Sequence, residues 1–335
     1  MLSLLSKRNL FIFIFNVVVN FAVLAGGKSD YSGTLVVVNK RADNVSFIDL
    51  ATKQIVKTLP TGKGSHELAM TKDGLWAVST DYVGGNSLTV FDVKKAKVVR
   101  TIDLSKFPNP HGILFLKDQT HVAISSEGSD SVVIANIHTG KVTSNIGTTQ
   151  RGSHMVALPA DSSVVYTTNM RDNTVSQLDV QSAKLLKLMP MEGTPEAITV
   201  NKGNTELWVG SNKDGLVSVY DVASNKLLKQ WKDYTWPYRI LLNQAETYAL
   251  APDLRRHKLD IYNAKTKSRI KTVQFDDGDG PKGVIFHPDD STAFLSMYEQ
   301  DKVLAIDVPS GEILFELPTG DGPDGIGYSP HVVTF

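Results

Sequence analysis

The chain has 335 residues, of which 41% are hydrophobic, and its Lys+Arg and Asp+Glu counts are both 35. That length accommodates two ordinary domains or one large domain of barrel or propeller type. The balanced charge offers no basic excess for nucleic acid or anionic membranes, and the absence of cysteine excludes disulfides, thiolate catalysis, Cys-ligated zinc and covalent c-type haem.

At the N-terminus, Lys7 and Arg8 precede the apolar run NLFIFIFNVVVNFAVLAGG, and VLA at 23–25 places small residues where a signal peptidase cuts. The pattern predicts a secretory signal peptide over 1–25 and a single mature domain over 26–335. The run from Leu10 to Leu24 is shorter than the ~20 residues of a spanning helix. The expected location is therefore periplasmic or secreted, with no stable membrane insertion after cleavage.

Beyond it, short strands ending in an acid or amide recur: VSFID at Asp49, LTVFD at Asp92, VVIAN at Asn136, VSQLD at Asp179, VSVYD at Asp221, LDIYN at Asn263 and VLAID at Asp307. Their spacings are 43, 44, 43, 42, 42 and 44 residues. Each is flanked by other β-rich stretches, such as VVYTTN before and VPSGEILFEL after. Helical periodicity is not sustained, so a unit is four short strands, within the ~40–45 residues of a propeller blade. The first unit lacks an innermost strand, and GPDGIGYSP at 322–330 supplies one with no blade to follow. Joining them predicts an all-β, seven-bladed propeller of four-stranded antiparallel blades. The ring closes where the C-terminal strand meets the N-terminal strands of blade 1. The last residues, HVVTF, exceed what closure needs.

The VVYTTN strand and the DG or DD turns make these units resemble the YVTN-type, YncE-like β-propeller family, within the lactonase-like propeller superfamily. The resemblance covers nearly all of the mature chain and implies the fold. It leaves function open, because this superfamily includes enzymes and plain binding platforms. Haem d1-binding propellers of nitrite reductases share the repeat style but have eight blades.

One position stands at the head of every innermost strand: Asp324, His66, His111, His154, Glu196, Tyr238 and Lys282 in ring order, with flanking text GPDGI, GSHEL, NPHGI, GSHMV, TPEAI, WPYRI and GPKGV. These residues are expected to line one mouth of the channel. Three consecutive histidines bracketed by carboxylates suit a divalent transition metal such as zinc, iron or copper, with His66, His111, His154 and Glu196 as candidate ligands. Wet lining of a metal-free channel is the structural alternative. Loop residues Asp81, Tyr82, Glu127, Asn169, Asn212, Arg255, Arg256, Tyr298 and Glu299 are expected around the same mouth.

Two functions follow. The first is an exported binding protein that takes a metal ion, small ligand or partner protein at the channel mouth. The second is a metal-dependent enzyme, a lactonase-like hydrolase or a lyase, with Glu196, Asp324, Tyr238 and Lys282 as candidate catalytic groups. Calcium-dependent lactonases use oxygen-rich sites, whereas this ring is nitrogen-rich.

Overall fold

The computed structural model describes residues 31–334, and the predicted signal peptide over 1–25 lies outside them. Twenty-eight strands form seven four-stranded sheets, each antiparallel throughout. The recurring acid or amide has a structural cause. Each ends a third strand and accepts a hydrogen bond from the backbone N–H three residues on, at 2.6–3.0 Å, in all seven blades. This Asx-type turn starts the outermost strand.

Blade 1 combines Pro323–Ser329 with Thr34–Asn39, Asn44–Asp49 and Gln54–Pro60. The ladder pairs Thr34 with Ser329 and Val36 with Gly327, so the two ends of the described chain share one sheet. The core is divided accordingly, as seven apolar clusters, each bridging two neighbouring blades.

The final residues have a role that the repeat did not suggest. Thr34 Oγ1 donates to the His331 carbonyl at 2.8 Å, and Thr334 N donates to Lys94 O at 2.9 Å. Between them Val333 is buried against Phe47, Phe91 and Val93 at the seam of blades 1 and 2. The tail thus fastens a second seam beside the closing strand. Ending the chain at Pro330 is expected to cost about 2–4 kcal/mol, from one buried valine and two hydrogen bonds. Urea unfolding measures this loss, and an unchanged midpoint would refute the fastening role.

The head of each innermost strand is irregular in a repeated way. In blade 2, Ser65 pairs with Asp81 and Leu68 with Ser79, so two residues, His66 and Glu67, oppose Thr80 alone. The same register shift occurs at the heads of blades 1, 3, 4, 5 and 7. A hydroxyl on the second strand accepts the displaced N–H: Thr80 from Glu67, Ser125 from Gly112, Thr168 from Met155 and Ser296 from Gly283. Such bulges re-aim side chains. Gly283 is required here because a Cβ would stand 2.0 Å from the Asp324 carbonyl oxygen of the next blade.

Blade 6 departs from the expected regular strand. Its innermost strand is only Leu241–Leu242, preceded by a single bridge from Pro237 to Asp253. Pro252 opposite accepts the Tyr238 N–H at 2.9 Å but offers no hydroxyl for the Arg239 N–H, and pairing resumes only at Leu241.

Candidate functional site

The seven head positions converge as the repeat predicted, and all are buried. The His66 and His111 ring centroids are 4.3 Å apart, and His111 stacks on His154 at 3.6 Å with planes 26° apart. His154 Nε2 is 3.8 Å from Glu196 Oε1. On the other flank, Asp324 Oδ2 lies 3.8 Å from His66 Nδ1 and 3.9 Å from Lys282 Nζ, and it accepts the Tyr238 hydroxyl at 2.9 Å.

The residues that follow the second strands form an upper tier. Lys40 Nζ is 3.3 Å from His66 Nε2 and 3.8 Å from Asp324 Oδ2. The Tyr82 ring meets His111 edge-on at 4.7 Å and 88°, and its hydroxyl donates to Glu127. Glu127 also lies 3.7 Å from His154 Nδ1 and accepts Arg171 at 2.8 Å. The Lys282 ammonium sits 3.1 Å from the Tyr298 ring centroid, which Arg41 also covers at 4.5 Å. Arg41 bonds Glu299 at 2.8 Å, while Arg255 covers Trp236 at 4.1 Å and Arg256 bonds Thr235 at 3.0 Å, so these rim groups are spent locally. Asn212, at the matching register, is fully buried with neither side-chain atom partnered.

Two residues expected in loops are not there. Asp81 and Asn169 end second strands and are fully buried. Asp81 accepts Ser87 and Thr89, and Asn169 donates to Thr174 and Ser176, so both tie their own blades together.

A buried ion pair crosses the channel beneath the ring. Arg239 Nη2 of blade 6 donates to both oxygens of Glu67 in blade 2, at 2.6 and 2.7 Å, and Nη1 contacts Met155 Sδ at 3.2 Å. Neither partner was among the candidates. The signal lay one position past the ring, where the blades read Gly325, Glu67, Gly112, Met155, Ala197, Arg239 and Gly283. Two opposite charges among small and apolar residues mark a cross-channel pair.

Burial and charge set the protonation states. Burial drives His66 and His111 well below the ordinary histidine value, with neighbouring Lys40, Arg239 and His154 adding to the effect. Burial opposes ionisation of Asp324, but His66, Lys282, Lys40 and Arg239 hold it at about 2. The adjacent His154, with help from the Tyr82 hydroxyl, holds Glu127 at about 2 despite burial. Burial raises Glu196 and Glu67, each partly countered by nearby cations. It lowers Lys282 to about 8 against the pull of Asp324.

Donors for a cation do assemble among the described residues. His66, Glu67 and His111 bring one ligand atom each within 4.8 Å of one another. Of the candidates read from the repeat, His66 and His111 are in this group. His154 and Glu196 stand beside it, with His154 stacked on His111 and its nitrogens turned to the two glutamates. The Nδ1 atoms of all three histidines and Oδ1 of Asp324 have no hydrogen-bond partner, so polar capacity there is unspent.

The fold and this geometry define a seven-bladed propeller whose channel is closed by buried ionisable groups. The chain belongs to the YNCE-like beta-propeller family, whose description matches residues 21–121 and 115–243. No curated protein matches the sequence. Among solved structures it is similar to a functionally unknown protein from Desulfotomaculum acetoxidans DSM 771, with TM-score 0.75 and 15% identity over 90% of this chain and 100% of that one. It is also similar to Kuenenia stuttgartiensis hydrazine synthase, with TM-score 0.68 and 14% identity over 78% of this chain and 88% of the other. Dihydro-heme d1 dehydrogenase NirN in complex with DHE gives TM-score 0.67 and 14% identity, over 92% and 78%. These likenesses show the fold.

Proposed function

We propose that this protein is an exported binding propeller that holds one divalent transition metal ion at its channel mouth. The observation that carries the proposal is the buried convergence of His66, Glu67 and His111 within 4.8 Å, beside imidazole nitrogens that have no partner. Two imidazoles and a carboxylate suit zinc, iron or copper better than calcium or magnesium, which prefer oxygen. His154 and Glu196 stand where they would complete or orient the set. Lys40 and Arg239 now occupy two of the donors. Lys40 is the more exposed of the two, with a side chain 22% accessible, and it can swing outward to admit a cation.

A second reading has its own support. Glu196 raised, Lys282 lowered to about 8 and Tyr238 hydrogen-bonded to an ionised Asp324 are perturbed acid–base groups around the same donors. A bound ion would supply Lewis acidity, and these four residues would move or hold protons in a lactonase-like hydrolase or a lyase. The N-terminal apolar segment supports export to the periplasm or beyond. A small ligand or partner protein at the mouth remains the natural cargo of a binding platform.

Chelator-stripped protein, titrated calorimetrically with zinc, iron(II) or copper(II), is expected to bind one ion per chain. His66→Ala/His111→Ala should weaken binding beyond the roughly 10- to 100-fold that outer-shell partners contribute. A wild-type protein that retains none of the three metals would sink the proposal, as would a folded double variant that binds as tightly. Metal-dependent opening of a small lactone would select the enzyme.

A further inference from the structure

Below the Glu67–Arg239 pair, the channel continues as an apolar chamber of about 290 Å³. Its wall is built from the later residues of the innermost strands, among them Leu114, Met155, Ile198, Thr199, Leu241 and Ile285. Leu114, an innermost-strand residue that is 38% exposed, borders this space. The volume is near the lower end of the roughly 300–1,000 Å³ typical of small-molecule sites. Of the three metal donors only Glu67 reaches this chamber.

The roof of the chamber carries a directional charge. Both Glu67 oxygens are engaged by a single nitrogen, Nη2 of Arg239. The rest of the guanidinium is not matched. Nη1 contacts only the Met155 thioether, and Nε has no hydrogen-bond partner among the described residues. The Arg239 side chain is 11% accessible. A guanidinium has five N–H donors in a planar fork that fits a carboxylate. Nη1 and Nε therefore keep N–H donors for an anion, while in the metal-free protein both Glu67 oxygens are already taken up by Arg239.

We propose that the chamber is a second binding site, which takes a small amphipathic carboxylate with its head on Arg239 and its apolar body against the strand residues below. Its volume equals about ten water molecules at roughly 30 Å³ each, which suits an acid of about eight carbons. Expulsion of water from an apolar wall supplies affinity, and the charge-assisted hydrogen bonds set orientation and choice of head group.

Metal-free, folded full-length protein would be titrated calorimetrically with octanoate, octylammonium and 1-octanol. Octanoate is expected to saturate at one per chain and octylammonium to bind at least about tenfold more weakly. Glu67→Gln/Arg239→Gln, which removes both charges together, should weaken octanoate by roughly 10- to 100-fold, the value of a hydrogen bond to a charged group, and leave octanol unchanged. Thr199→Trp fills the chamber from blade 5 and should abolish octanoate binding. Leu114→Trp, from blade 3, serves the same purpose if the first variant does not fold. Absence of saturable octanoate binding, equal binding of octylammonium, or undiminished binding in a folded chamber-filling variant overturns the proposal. Zinc binding is read separately, so failure at one site leaves the other's result distinct.

Discussion

Arg239→Met is expected to destabilise the protein by about 3–5 kcal/mol, because it leaves the Glu67 carboxylate buried without its partner. The bidentate contact at 2.6 and 2.7 Å is enclosed, with side chains only 11% and 8% accessible. Desolvation already raises the Glu67 carboxyl, and the guanidinium is the first influence that opposes this. Adding Glu67→Met removes the stranded charge and should recover most of the loss, since paired buried charges replaced by apolar groups are often neutral or stabilising. Guanidinium unfolding of the two single variants and the double variant gives the coupling directly. Additive losses would mean that the pair does not act as a unit.

Metal-free protein is expected to lose stability as the pH falls below the ordinary histidine value. His66 and His111 are held neutral in the folded state, well below ~6.5. A group with a lowered folded value is protonated first in the unfolded chain. Its full contribution is therefore present above ~6.5 and declines below it, by up to about 1.4 kcal/mol per pH unit for each residue. Between about pH 7.5 and 5.5 the wild type should therefore lose stability more steeply than a variant without these imidazoles. The groups that face them are Asp324, Lys40, Glu67, Arg239, His154, Tyr82 and Tyr238. Glu67 and Glu196, raised by burial, act in the opposite sense as the pH falls. Asp324 and Glu127, held at about 2, contribute stability that is lost only below the ordinary carboxylate range. Unfolding free energies of wild type and His66→Asn/His111→Asn across this window test the assignment. An equal pH slope in the two proteins would contradict it.

The ring of seven was legible because its markers do local work. An acid or amide that caps a turn must recur wherever that turn recurs, so Asp49 through Asp307 keep a period of 42–44 residues. Head positions could be aligned by the same logic, which placed His66, His111 and His154 together without any shared motif. Contacts across the channel were less accessible. Glu67 and Arg239 are 172 residues apart, and a period identifies equivalent positions without saying which opposite blades touch. The bulge was also hidden, since it depends on Thr80, Ser125, Thr168 and Ser296, common residues that carry no mark of their role. For that reason the carboxylate among the candidate ligands is Glu196 of blade 5, whereas the one grouped with His66 and His111 is Glu67, on the same strand as His66. The seat of Val333 escaped because it belongs to no repeat.

The clasp in blade 1 also sets the order in which the molecule can be finished. Until residues 323–329 have been synthesised, Thr34–Asn39 presents an unpaired strand edge, a template for pairing with other chains. Every earlier blade can form from neighbouring stretches of chain, yet the circle cannot lock before that late segment arrives. A chain released before that segment would be a row of sheets with two unpaired borders, prone to aggregation or proteolysis.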